Sequence, residues 1–191
     1  MMDKFKEHYQ RASKEVIEEL RDTLERVDLA ALEKLANDML TAEKVFFIGV
    51  GRVAMSLQGI CKRFSHLGVD THFVGDVCEP AITDKDLLIV GSGSGMSLFP
   101  VAIARKAKQF NAKVVHIGSN PHGDMEPIAD YMVRIPVRTR LYLDDEIESC
   151  QPMTSLFEQS LLLVGDILAK MIIEERGIDL KGLWQYHANL E

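Results

Sequence analysis

Apolar and polar positions repeat along the chain in the manner of strands that alternate with helices. Five short apolar runs lie at residues 45–49, 71–74, 87–90, 113–117 and 131–135, and we predict a β-strand at each of them. Helical spacing predicts a helix to about residue 66, a second after the loop at 92–97, and a short one near 124–129. The alternation is typical of an α/β fold with a three-layer, doubly wound, five-stranded parallel sheet.

Further helices flank this region at both ends of the chain. Residues 3–40 carry apolar side chains at spacings of three and four, in two helical stretches that meet at Asp28, the expected N-cap of the second. A strongly apolar helix from about 153 to 175 is expected to end at Gly177. A helix that precedes the first strand cannot be a crossover, so its apolar face must pack on the domain or on another subunit. We therefore expect a homo-oligomer.

The loop after the third strand combines hydroxyl side chains with glycines. Ser92, Ser94 and Ser97 alternate there with Gly93 and Gly95, and a helical pattern follows. A strand that enters a helix through such a loop gathers backbone N–H groups and the positive end of a helix dipole at one point. Glycines let the backbone approach an anion closely. The pattern predicts a phosphate site, and an ordinary Gly/Ser loop is the alternative.

A second glycine loop, with Gly51 and Arg52, follows the first strand. If the strand order is 2-1-3-4-5, the loops after strands 1 and 3 lie side by side at the carboxyl edge of the sheet, and Arg52 and the serines face one ligand. Residues 49–54 also match the dinucleotide pattern G-x-G-x-x-A, with Asp76 as a candidate ribose acceptor. A dehydrogenase needs a separate substrate region, and this chain has little length left to build one.

Glu158 interrupts the apolar C-terminal helix. A carboxylate on an apolar face is costly to bury unless it is paired or used, so Glu158 either lies on the exposed stripe or acts as a general base. His187 lies near Trp184 and Tyr186 in an aromatic tail, and a lone histidine near a terminus is usually structural or solvent-facing. The acidic segment at 137–150 is interpreted as a solvated loop without a chemical role.

The amino-acid composition limits the kinds of partner and cofactor that are expected for this protein. A net charge of -7 over 191 residues offers no broad basic field, so neither nucleic acid nor a membrane surface is expected as a partner. The three cysteines have no C-x-x-C spacing and the six histidines no metal-ligand spacing, so no disulfide or metal is expected. The first residues lack the apolar core of a signal peptide, which predicts a cytoplasmic protein.

From about residue 32 to residue 191 the sequence resembles the SIS (sugar isomerase) domain family, and within it the 6-phospho-3-hexuloisomerases. The segments that carry the resemblance are FIGVGR at 47–52, SGSGMS at 92–97, QPMTSLFEQ at 151–159 and HANLE at 187–191. The last two segments are more selective than the glycine loops, which many SIS domains share. The chain of 191 residues is long enough for one well-buried domain, 1–191, and too short for two ordinary ones. The resemblance implies that this domain is of the SIS type, with a flavodoxin-like sheet in the order 2-1-3-4-5, and that it forms a homo-oligomer, a tetramer or a dimer.

The resemblance also implies an activity, the interconversion of 3-hexulose 6-phosphate and fructose 6-phosphate without a cofactor. It implies Glu158 as the catalytic base and His187 as a second catalytic group, in its own or a neighbouring subunit's site. Met96 stands where the family has Glu, and Val53 where it has Ser. These departures motivate two alternatives, a non-catalytic phosphosugar-binding module and an isomerase of another sugar phosphate. The implied substrate-binding residues are Gly51, Arg52, Ser92, Gly93, Ser94, Gly95 and Ser97.

Overall fold

The computed structural model describes residues 2–190; Glu191, the last residue of the terminal motif, lies outside them. Five α-helices, five strands and a short 3-10 helix are found within this range. In chain order they are α1 (Met2–Leu24), α2 (Leu29–Thr41), β1 (Val45–Ile48), α3 (Gly51–Ser65), β2 (Thr71–Phe73), β3 (Leu87–Gly91), α4 (Leu98–Lys108), β4 (Lys113–Gly118), β5 (Tyr131–Arg134), α5 (Ser155–Arg176) and the 3-10 helix (Gly182–Tyr186).

The five strands form one sheet in the order β2-β1-β3-β4-β5, and every neighbouring pair is parallel. The predicted strand order and fold class are therefore confirmed. Side chains alternate between the two faces: Val45 and Phe47 pack toward α2, α3 and α5, whereas Phe46 and Ile48 pack toward α4. Burial on both faces explains why the strands read as continuous apolar runs.

Local signals explain three of the helix ends. The Asp28 side chain accepts a hydrogen bond of 2.9 Å from the N–H of Ala30, so the predicted N-cap of α2 is confirmed. Gly177 ends α5 in the left-handed conformation, with φ of 60°. The helix predicted to begin at 153 begins two residues later, because Met153 has φ of 57° and cannot belong to an α-helix.

The short helix predicted near 124–129 is wrong. The chain makes a series of turns there, with separate hydrogen bonds such as that of 3.0 Å from the N–H of Glu126 to the carbonyl of Gly123. Pro127 has no N–H to donate, so it breaks the succession of bonds that a helix requires. Within residues 2–190 no helix is both long and apolar enough to cross a membrane.

Candidate active site

The serine loop, residues 92–97, connects β3 to α4 at the carboxyl edge of the sheet. The hydroxyl oxygens of Ser92 and Ser97 lie 3.1 Å apart, and that of Ser94 accepts a hydrogen bond of 3.3 Å from the N–H of Met96. Gly95 takes φ of 67°, which a side chain would disfavour. Ser97 occupies the N-cap position of α4 without a side-chain cap hydrogen bond. The first N–H groups of α4 are therefore available to an anion.

The loop after β1 lies beside the serine loop, as the strand order requires. Gly51 begins α3 with φ of 58°, and Arg52 follows it. Both loops line one cavity of about 520 Å³. This confirms that the structure brings Arg52 and the serines to one place.

Glu158 forms part of the wall of the same cavity. Its side chain is only 7% exposed, so the exposed-stripe alternative is wrong. One carboxylate oxygen pairs with Nε of Arg52, and the other accepts a hydrogen bond of 2.8 Å from the Thr154 hydroxyl. The Ser56 hydroxyl donates to the carbonyl of Glu158 over 2.8 Å and ties α5 to α3. The carboxylate is thus buried, paired and fixed in direction at the edge of an open cavity.

His116 forms a hydrogen bond to the backbone of the serine loop from the adjacent strand. His116, on β4, is 2% exposed, and its Nε2 lies 2.8 Å from the carbonyl oxygen of Ser92. A carbonyl only accepts, so Nε2 must carry the proton. Burial lowers the pKa of His116, while the hydrogen bond to Ser92 acts in the opposite direction. The ring therefore stays neutral and braces the backbone of the loop.

His187 is not near Glu158 within one chain. Its ring stacks on His66 with centroids 5.2 Å apart and approaches Trp184 at 5.0 Å. His66 is the C-cap of α3, whereas the cavity lies at the N-terminal end of that helix. Since α3 has 15 residues, its ends are about 20 Å apart at about 1.5 Å per residue. The structure thus brings together the predicted cavity residues except Gly95, which faces His116 instead, and it leaves His187 at the far end of α3.

The sequence interpretation missed the segment between β5 and α5. The sequence predicts a solvated loop at 137–150, but Thr139 and Arg140 line the cavity and Glu146 is 8% exposed. Four acidic residues lie between 144 and 148, and nothing in the sequence separates Glu146 from the others. Only tertiary contacts decide which of these carboxylates is buried. The dinucleotide-binding alternative, with Asp76 as the ribose acceptor, also loses support, because Asp76 lines a separate pocket beside β2 and not this cavity.

Fold and cavity together define a doubly wound α/β domain with a cavity, lined by two glycine loops, at the switch point of its sheet. Residues 38–165 match the model of the SIS domain, and the chain belongs to this family. It is 32% identical over 177 residues to the 3-hexulose-6-phosphate isomerase of Bacillus subtilis (strain 168), covering 93% of this chain and 96% of the relative. It is 34% identical over 176 residues to the 3-hexulose-6-phosphate isomerase of Mycobacterium gastri, covering 92% of this chain and 88% of the relative.

A solved structure has the same architecture. The crystal structure of a hypothetical protein from Methanococcus jannaschii, from which a molecular function of 3-hexulose-6-phosphate isomerase was inferred, superposes with a TM-score of 0.79. The two chains are 27% identical, and the match covers 97% of this chain and 99% of the other. Among residues 2–190 no group of three or more His, Cys, Asp or Glu is placed to hold a metal ion.

Proposed function

We propose that the protein is a 3-hexulose-6-phosphate isomerase, which interconverts 3-hexulose 6-phosphate and fructose 6-phosphate. The observation that carries the proposal is the position of Glu158, a buried carboxylate on the wall of the cavity that the serine loop also lines. An isomerase of this kind needs an anchor for the phosphate and one base near the carbon chain. The relatives with this name match nearly the whole chain.

The serine loop is the proposed phosphate anchor. The hydroxyls of Ser92, Ser94 and Ser97 and the first N–H groups of α4 supply donors, and the helix dipole favours negative charge there. Gly93, which lines the cavity, keeps a side chain out of the approach to these donors, whereas Gly95 allows the left-handed turn of the loop. Holding the phosphate fixes the sugar chain against Glu158, which turns a bimolecular proton transfer into an oriented one.

Glu158 is the proposed base. It removes the proton from C2 of the 3-ketose, which gives a 2,3-enediolate, and returns a proton to C3 as the carbonyl forms at C2. One carboxylate can make both transfers from one face, and a second proton moves from O2 to O3. Arg52, which pairs with Glu158, is proposed to stabilise the negative enediolate oxygens. The reaction is redox neutral overall, and the proposed mechanism uses no cofactor.

A deuterium-exchange experiment tests this reaction. Fructose 6-phosphate incubated with the protein in D₂O is expected to gain deuterium at C3, which proton NMR detects as loss of the H3 signal. The Glu158→Gln variant keeps the size of the side chain without its basicity, and exchange should fall by about 10²- to 10⁴-fold. Deuterium at C1 instead would indicate a 1,2-isomerase of another sugar phosphate. Normal exchange by the variant would refute the role of Glu158.

His187 is proposed to act in the site of a neighbouring subunit, because within one chain it lies at the far end of α3. Its proposed role is to pass the proton between O2 and O3. Coexpression of Glu158→Gln and His187→Ala chains tests this by complementation. Each variant alone should be inactive, while mixed oligomers should regain part of the activity because some sites combine one intact Glu158 with one intact His187. Inactive mixed oligomers would contradict an action across subunits.

A non-catalytic phosphosugar-binding module is the second candidate. Met96 and Val53, which replace a glutamate and a serine of the family pattern, both line the cavity. Binding of fructose 6-phosphate in calorimetry, without any deuterium exchange and with no effect of Glu158→Gln on affinity, would favour this candidate over the isomerase.

A further inference from the structure

The segment 137–150 lies against the serine loop. A Cβ atom placed on Gly93 would lie 3.5 Å from the methyl carbon of Thr139, so the two loops are in contact. Arg140, the next residue, lines the cavity together with Ser92 and Ser94. A cation therefore lies beside the serine loop, on a part of the chain whose sequence indicates only a solvated surface.

The backbone on both sides of Arg140 is held by one buried carboxylate. Glu146 accepts hydrogen bonds of 3.0 Å from the N–H groups of Thr139 and Leu143, which flank Arg140. It also accepts a hydrogen bond of 2.9 Å from the Thr139 hydroxyl. The Ser119 hydroxyl lies 2.9 Å from Glu146 and 2.8 Å from the carbonyl of Val137, and its single proton is shared between them. Three full donors to a carboxylate that is 8% exposed form a strong, fixed arrangement, since charge-assisted bonds gain strength away from water. Glu146 thus fixes the position of the Arg140 backbone.

Charge pairing distinguishes Arg140 from its neighbours. Arg134 pairs with Asp145 at 2.7 Å, and Arg138 pairs with Glu148 at 2.7 Å. Arg52, the other arginine of the cavity, pairs with Glu158. Within residues 2–190 the exposed side chain of Arg140 makes no ion pair or hydrogen bond. Among the described residues that line the cavity, Arg140 therefore carries the one cationic group that no carboxylate neutralises.

A sugar phosphate needs such a group. A phosphate monoester carries a charge of about −1.5 to −2 at neutral pH, whereas the serine loop itself supplies only neutral donors. An arginine presents paired N–H donors that match phosphate oxygens in two parallel hydrogen bonds. We propose that Arg140 is the cationic ligand of the substrate's phosphate group and that Glu146 is its positioning residue. The proposal rests on the isomerase function only for the identity of the ligand as a sugar phosphate.

Binding measurements test the role of Arg140 separately from catalysis. Calorimetry compares the Kd of fructose 6-phosphate, inorganic phosphate and unphosphorylated fructose for the wild type, Arg140→Gln and Arg140→Lys. Loss of a charged hydrogen-bonding pair should weaken binding of both phosphate ligands by about 10- to 100-fold in Arg140→Gln. Arg140→Lys should recover part of this loss, and fructose binding should not change. Arg176→Gln, which removes the same charge at the last turn of α5, is the matched control.

Kinetics separate positioning from general stability. Arg140→Gln and Glu146→Gln should each raise KM for fructose 6-phosphate by about tenfold or more with kcat changed less than about threefold, and the double variant should lose little more than Arg140→Gln alone. Circular dichroism checks that each variant is folded; if Glu146→Gln does not fold, Arg140→Gln alone decides the proposal. A Kd for phosphate equal to that of Arg176→Gln, or a loss confined to kcat, would overturn it. If the wild-type protein shows no deuterium exchange, the isomerase function is refuted. The Kd values for inorganic phosphate then still decide whether Arg140 is a phosphate ligand.

Discussion

The contact between α3 and α5 predicts a stability defect from the smallest possible substitution. Gly165 on α5 faces Ile60 on α3, and a Cβ atom there would lie 2.4 Å from Cγ1 and 2.6 Å from Cδ1 of Ile60. Carbon atoms pack at about 3.5–4.0 Å, so Gly165→Ala requires the helices to separate by about 1 Å. Ile60 is buried and β-branched, and its side chain has little freedom to rotate away.

Two opposing terms set the size of the effect. Alanine in place of glycine in a helix gains about 1 kcal/mol, whereas overpacking a buried contact costs about 1–3 kcal/mol. The contact distances are far below van der Waals separation, so the upper end of the cost applies. We expect Gly165→Ala to lower the free energy of unfolding by about 2 kcal/mol and the melting temperature by about 4–8 °C.

Urea denaturation followed by circular dichroism measures this change, and Gly59→Ala is the matched control. Gly59 lies on α3, where a Cβ would approach only the terminal Cδ1 of Leu162, at 3.0 Å, and that side chain is partly exposed and can move. The control should be slightly more stable than the wild type, because only the helix preference changes. A Gly165→Ala protein as stable as Gly59→Ala would refute the packing argument.

Three further predictions concern single polar groups. Thr154→Val removes a hydrogen bond of 2.8 Å to Glu158 and should lower kcat by about tenfold with little change in KM, whereas Thr154→Ser should keep the rate; steady-state kinetics decide. Burial lowers the pKa of His116, so the folded protein binds fewer protons than the unfolded chain, and stability should fall as pH drops through the unfolded-state pKa of about 6.5. His116→Gln should flatten this part of a urea-denaturation pH series. Asp86→Ala removes a buried carboxylate that pairs with Lys44 at 3.1 Å and accepts hydrogen bonds from the N–H groups of Lys44 and Thr83; the unmatched donors should destabilise the fold by about 3–5 kcal/mol in the same assay.

The parts of the fold that the sequence predicts correctly depend on short-range patterns. Strands buried on both faces are recognised by continuous apolar runs, and the glycine-rich segments between a strand and a helix are recognised as loops by their composition alone. Because parallel strands present their carboxyl ends at one edge, the position of Arg52 beside the serine loop also follows from the strand order. The short helix near 124–129 fails for an equally local reason, since Pro127 stops the hydrogen bonding that the apolar spacing suggests.

The missed parts of the site depend on contacts between distant segments. Glu146 is buried because Ser119, on another loop, donates to it, and no local pattern distinguishes it from the neighbouring acidic residues. Arg140 lies at the cavity where its loop folds around Glu146 and contacts Gly93 of the serine loop through Thr139. The location of His187 likewise follows from its packing on His66 at the end of α3, which helical periodicity does not reveal.

In the site without a ligand, the Glu158 carboxylate is already paired with Arg52. If Glu158 is the base, as proposed, a sugar that reaches its paired oxygen has to displace Arg52, and hydroxyl groups compete poorly with an ion pair on a buried acid. Binding of a phosphate group elsewhere in the cavity would offset the cost of separating the pair. The ion pair would then disfavour unphosphorylated hexoses, which are similar in shape but lack this anchor, before any chemistry begins.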